Sequence, residues 1–134
     1  MTGRFDYAAA SEAEAEARRG RGVRAIRVVE ARTYRQRAAG LAMGELGRLP
    51  DDVSVLFDRC TCIHTFGMAG PISIAWLGPE EHDAEGRPMR RVIAVDSSVP
   101  PNRVLFGPRG TCAAMESHPL PGSAEACDGD TIRF

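Results

Sequence analysis

Val53-Ser54-Val55-Leu56-Phe57-Asp58 is followed by Cys60-Thr61-Cys62-Ile63-His64-Thr65-Phe66-Gly67-Met68, then by Ile72-Ser73-Ile74-Ala75-Trp76-Leu77. In the first run Val53, Val55 and Phe57 alternate with Ser54, Leu56 and Asp58, the period of a half-buried strand. The other two runs read as further strands, separated by the turn Ala69-Gly70-Pro71. Alternation along these strands places Phe66, Met68, Ile74 and Trp76 in or beside the core.

The pattern continues outward in both directions. Gly78-Pro79 to Arg87-Pro88 is a long polar loop carrying Glu80, Glu81, His82, Asp83 and Glu85. Arg91 to Val95 is a β-branched strand, Arg103 to Phe106 a further candidate, and Thr111 opens a run reaching Glu116. Asp128-Gly129-Asp130 turns into a last strand, Thr131 to Phe134. On the N-terminal side Val23 to Ala31 predicts a strand. Thr33-Tyr34-Arg35-Gln36 fits a capping box, predicting a short helix from Tyr34 to about Met43. Ala38, Leu41 and Ala42 give that helix an apolar side, and Gly44 suits its end. Short strands between Gly/Pro turns predict a mostly β fold, sandwich or barrel-like and α+β in detail, with a short helix between its first two strands.

Residues 1–22 read differently. Ser11 followed by Glu12, Ala13, Glu14, Ala15, Glu16 and Ala17 is a helix start, with Arg18 and Arg19 at its end. It carries no apolar stripe, and Gly20 and Gly22 break it. The expectation is an exposed, frayed leader over 1–22, partly helical or disordered, and a single compact β-rich domain over 23–134.

The length, 134 residues, suits one domain. Hydrophobic residues at 43% and charged residues at 26% exclude a disordered acidic tail, a collagen-like fibre and a disulfide-dense scaffold. A net charge of −1 provides no global field toward nucleic acid or anionic lipid, so neither is expected as a partner. All 17 basic residues are Arg, which reads as the codon bias of a GC-rich genome. Eight of them lie between Arg18 and Arg37 against one acid, Glu30, which reads as a solvated strand edge and helix face. No run reaches the roughly 18 apolar residues of a membrane helix, and the first residues lack a signal peptide's cationic start and apolar centre. A soluble cytoplasmic protein is therefore expected, with Cys60, Cys62, Cys112 and Cys127 reduced.

Several blocks stand in a characteristic order: Arg37-Ala38-Ala39-Gly40-Leu41-Ala42-Met43, Leu49-Pro50-Asp51, Leu56-Phe57 and His64-Thr65-Phe66-Gly67-Met68. Behind them come Pro71-Ile72, Val99-Pro100-Pro101 with Arg103, Met115-Glu116 and Gly129-Asp130. Over residues 23–134 this order resembles the bacterial and archaeal family known as domain of unknown function 192. The resemblance implies a compact, mostly β domain with a short helix after its first strand, and it carries over no established activity. Within these blocks His64, Phe66, Met68, Arg103 and Glu116 are the candidate ligand-binding residues. The chain departs from the family at Ser73, where an acid is usual, at Ala69, where a cation is usual, and at Met115-Glu116-Ser117, where Leu-Glu-Leu is usual. It thus keeps one carboxylate, Glu116, of any acid/base pair.

Cys60, Cys62 and His64 would emerge on one face of a strand, and two thiols with an imidazole suit zinc or cuprous ion. A fourth ligand would have to come from Cys112 or His118. The same two cysteines read as small buried hydrophobes, continuing with Phe66 and Met68 along a core face, and no metal or other cofactor is expected. A hydrolase-like arrangement of His64, Glu116 and His118 is a weaker alternative. No Gly-x-Ser-x-Gly elbow or phosphate loop is present, and no histidine has an evident orienting partner. The leading expectation is a non-catalytic binding or interaction module, ahead of a metal- or thiol-dependent protein using Cys60, Cys62 and His64.

Overall fold

The computed structural model describes residues 4–18, 22–120 and 123–134. The strands are β1 Ser11–Glu16, β2 Val23–Glu30, β3 Val53–Asp58, β4 Cys62–His64, β5 Ile72–Leu77, β6 Glu81–His82, β7 Pro88–Val99, β8 Val104–Phe106, β9 Ala113–Ser117 and β10 Thr131–Arg133. Two helices, α1 Tyr34–Ala39 and α2 Glu45–Arg48, lie between β2 and β3. The sheet runs β10-β1-β2-β3-β9-β5-β7-β6, and a further pairing of β10 with β7 closes seven strands into a barrel. The eighth, β6, is a two-residue extension paired with Met89 and Pro88. β4 and β8 form a separate ribbon.

Among the described residues β2 and β3 pair in parallel, and the other strand neighbours are antiparallel. A parallel pair needs a crossover of a dozen or more residues, and the helical segment supplies it. α1 opens with the expected capping box, Thr33 accepting from the Gln36 N–H while the Gln36 side chain accepts from the Thr33 N–H. It ends at Ala39 rather than near Met43, because Gly40 turns the backbone to φ +54°. Leu41 and Ala42 then drop into the core, and Gly44 caps the start of α2 instead of the end of α1. Ala38, expected on the apolar side, is exposed.

Every barrel strand contributes to one apolar cluster, which is therefore the interior. Ala13, Ala15, Ile26, Val28, Ala75, Leu77, Val92, Met115 and Ile132 are buried there, with Leu56 of β3 partly so. Its small side chains fit the narrow bore of a small barrel. The alternate residues of β3, β5 and β9 face outward into a second core. There Val55, Phe57, Ile72, Ile74 and Trp76 pack against Leu41, Leu46, Ile63 and Met68 of the covering layer. β3 is therefore buried on both faces, with Ser54 fully enclosed, rather than half-buried.

The expected N-terminal leader is corrected. Ser11–Glu16 is a barrel strand paired with both β2 and β10. Ala13 and Ala15 point inward, while Glu14 bridges to Arg87 and Glu16 to Arg133. Alternating Glu and Ala have helical propensity, but a helix this short is marginal alone, whereas the strand is held by two ladders. Phe5 and Tyr7 are buried, and the Tyr7 hydroxyl donates to Glu45 Oε2 at 2.7 Å under the Arg48 guanidinium. Residues 1–3 and 19–21 of the expected leader, including the break at Gly20, lie outside the described residues. No described helix is long and apolar enough to cross a membrane.

Candidate functional site

On β9, Ala113 and Met115 face the barrel interior, so Ala114 and Glu116 face the covering layer. Glu116 is 1% exposed there. Its carboxyl accepts one backbone hydrogen bond, from the N–H of Leu41. Oε1 is buried without a hydrogen-bond partner among the described residues. Glu116 borders a cavity of about 50 Å³ lined also by Gly40 at the end of α1, Phe57 of β3, Cys60, and Ile63 and His64 of the ribbon. Burial pushes the Glu116 carboxyl up to about 8, outweighing the opposite pull of the Leu41 N–H. At neutral pH the acid is protonated. With one oxygen accepting from Leu41, the orphaned oxygen is the natural seat of the proton, a hydrogen-bond donor on a residue that lines the cavity.

The backbone around this carboxyl is shaped for it. A Cβ on Gly40 would stand 3.1 Å from Glu116 Oε1 and 3.5 Å from the Phe57 ring. The positive φ at Gly40 is a second reason for glycine there. The expected helix end at Gly44 hid this residue; reading Gly40 as the helix stop would have found it.

His64 closes one wall. Nδ1 accepts from the Phe66 N–H at 3.3 Å, so Nε2 carries the proton and donates to the Ala38 carbonyl at 2.8 Å. Its ring stacks on that of Phe66, centroids 5.6 Å apart. Thr65 anchors the segment from behind: its hydroxyl donates to the Pro100 carbonyl at 2.8 Å and accepts from the Arg103 N–H at 2.9 Å.

The structure therefore brings His64 and Glu116 to one cavity, along with Cys60 and Cys62. Met68 is buried beneath, as expected. Phe66 is not in the core; it is 50% exposed on the outer side of the ribbon. The reason is the strand's length. β4 spans only Cys62–His64, and Gly67, at φ +75°, bends the chain before alternation can carry Phe66 inward. For the same reason Cys60 lies outside the strand, its thiol donating to the Cys62 carbonyl, and the expected two-thiol strand face is not formed. Burial raises the Cys60 pKa, and among the described residues no three His, Cys, Asp or Glu side chains gather as metal ligands would. Cys112 bonds to the Gly110 carbonyl. His118 is engaged elsewhere, with Nε2 2.7 Å from the Leu49 carbonyl, so it does not join His64 and Glu116. Arg103 is exposed at the head of β8. Val104 and Phe106, exposed on β8, were not among the sequence candidates; their alternation about Leu105 is the signal that marks them.

No family model and no curated protein matches the chain. Among the solved structures that share its fold are two proteins. One is a protein of unknown function from Novosphingobium aromaticivorans DSM 12444, with a TM-score of 0.69 and 20% identity over 92% of this chain and 84% of that one. The other, described as a proposed transcription regulator, is from Sinorhizobium meliloti 1021, with a TM-score of 0.69 and 14% identity over 92% of each chain. At these identities the likeness is one of fold.

Proposed function

We propose that the protein is a non-catalytic binding module whose ligand places a small, uncharged hydrogen-bond acceptor, such as an amide carbonyl, against Glu116. The observation that carries this reading is the buried, unpartnered Glu116 Oε1 at the cavity between α1 and the ribbon. A buried polar group without a partner costs about 1–3 kcal/mol, and a ligand that satisfies it recovers that cost. The cavity exceeds the ~30 Å³ that a water molecule occupies in the liquid, and suits a group of a few heavy atoms. A neutral acid donor favours an acceptor over a cation.

The absence of a reaction is supported by the neighbours. Both His64 nitrogens are engaged by backbone groups, which leaves that ring no free position as a base. The Cys60 thiol is held protonated by burial, which disfavours the thiolate a nucleophile needs. Membership of the domain of unknown function 192 family is part of the same proposal, supported by the motif order and by a β-rich fold with a short helix after its first strands.

The test follows the Glu116 carboxyl carbon by NMR at mildly acidic pH while acetamide, acetate or methylammonium is added. Acetamide is expected to shift that resonance, to lose its effect on the protein in Glu116→Leu, and to keep it in Glu116→Gln, whose amide also donates. Preference for methylammonium, or no response to acetamide, would overturn the reading.

A further inference from the structure

The ribbon's register places four side chains on one outward face. Cys62 opposes Phe106 and His64 opposes Val104, so these four share the face opposite to Ile63 and Leu105, which point into the core; Cys62 and His64 lie where that face meets the Glu116 cavity. Val104 is 50% exposed and Phe106 74%. Phe66 extends the patch through its stacking on His64. Three large apolar side chains are thus presented together to solvent, outside the Glu116 cavity.

The charges in the sequence that flanks them are one-sided. Residues 59–79 and 97–115 contain no Asp or Glu, yet they carry Arg59, Arg103 and Arg109. Arg37, on α1, borders the same ribbon beside His64. Of the arginines elsewhere, Arg24, Arg27, Arg32, Arg48, Arg87, Arg90, Arg91 and Arg133 each meet a carboxylate, while Arg4 and Arg18 form no ion pair among the described residues. Arg37, Arg59, Arg103 and Arg109 form no ion pair among the described residues. Arg37 and Arg103 donate only to the backbone carbonyls of Arg59 and Asn102. Arg37 and Arg59 share a surface cavity with Glu30 and Asp58, whereas Arg103 and Arg109 flank Val104 and Phe106 in a stretch without acids. Exposed aromatic and aliphatic side chains beside such arginines have the composition of a protein–protein interface.

We infer that the outer face of the β4–β8 ribbon is a docking surface for an acidic segment of a partner protein, one that carries apolar side chains among its carboxylates. Phe66, Val104 and Phe106 receive the apolar groups. Arg103 and Arg109 meet the acids. Charge complementarity selects this occupant over a second copy of the chain, whose acidic loop at 80–85 has no large apolar residue, while its Glu81 and Asp83 already meet Arg91 and Arg133. It is also favoured over single-stranded nucleic acid: Val104 offers no stacking face, and the His64 and Phe66 rings are stacked on each other.

The test is a random peptide library displayed on phage and selected on the full chain. Enriched peptides are then synthesised, labelled, and measured by fluorescence anisotropy against the protein, Phe106→Ser and the double variant Arg103→Glu/Arg109→Glu. All three sites are at the surface, and circular dichroism verifies that both variants fold. We expect enriched peptides to combine Asp or Glu with apolar residues. Their affinity should fall about tenfold or more in each variant, and should weaken with added salt. Enrichment of peptides without acids, binding indifferent to both variants, failure to enrich any peptide, or tighter binding of oligothymidylate than of the peptides would each overturn the inference.

Discussion

The missing side chain of Gly40 and the buried carboxyl of Glu116 are complementary: a Cβ at residue 40 would lie 3.1 Å from Glu116 Oε1, on a backbone whose φ of +54° disfavours any L side chain. Gly40→Ala should therefore destabilise the protein by about 1–3 kcal/mol, the range for a residue forced into this conformation. Urea denaturation measures it. A loss within about 0.5 kcal/mol, the scale of an ordinary surface change, would show that the turn relaxes freely.

Glu116 gives stability a pH signature. Its folded-state value is raised to about 8 from the ordinary carboxyl value of 4.5. Between those values the folded chain holds a proton that the unfolded chain has released, so stability falls as pH rises. The contribution is fully present below about 4.5 and is lost progressively until pH passes about 8. Glu116→Gln should flatten this part of the profile while other titrating groups keep theirs. Identical slopes for the two proteins from pH 5 to 8 would mean that Glu116 is ionised in the fold.

Phe66 and Trp76 should behave oppositely although both are aromatic. Trp76 is fully buried, its indole N–H donating to Asp96 Oδ2 at 2.7 Å, whereas Phe66 is half exposed. Trp76→Ala should cost about 3–5 kcal/mol. Phe66→Ala should cost under about 1 kcal/mol, as surface changes do. Thermal melting separates the two; a comparable drop for Phe66→Ala would place its ring in the core.

Truncation through Glu16 removes β1, the strand between β2 and β10, together with Phe5 and Tyr7. The expected result is loss of the cooperative unfolding transition by circular dichroism. Tyr7→Phe, a milder change, should cost about 1–3 kcal/mol because it leaves Glu45 Oε2 without its buried donor. If the truncated chain melts at the native temperature, these residues do not pack on the barrel.

Among the cysteines, Cys62 and Cys127 are exposed, while Cys60 is half-buried with its pKa raised by burial. Alkylation followed by peptide mass spectrometry should label Cys62 and Cys127 first and Cys60 later, since the thiolate is the reacting form. Earliest labelling at Cys60 would require a lowered pKa and an open cavity.

Local chemistry alone made much of the barrel legible. Alternation in Val53–Asp58 and the β-branched run Arg91–Val95 mark strands because side chains on a strand alternate between its two faces. The Thr33/Gln36 capping box marks the start of α1 because its hydrogen bonds are made within four residues. Glu116 and His64 could be nominated from their blocks, and the fold places both at one cavity. What sequence could not decide was which partner each segment meets. Ser11–Glu16 has helix-forming residues, and only the ladders to β2 and β10 make it a strand. Phe66 looks like a core residue by period, and only the bend at Gly67 turns it out. The neutral state of Glu116 arises from desolvation by α1, β3 and the ribbon, contributed by segments distant in the chain. Periodicity and capping are encoded over a few residues, whereas burial, and with it the protonation state of the carboxyl, is set by neighbours that only tertiary folding assembles.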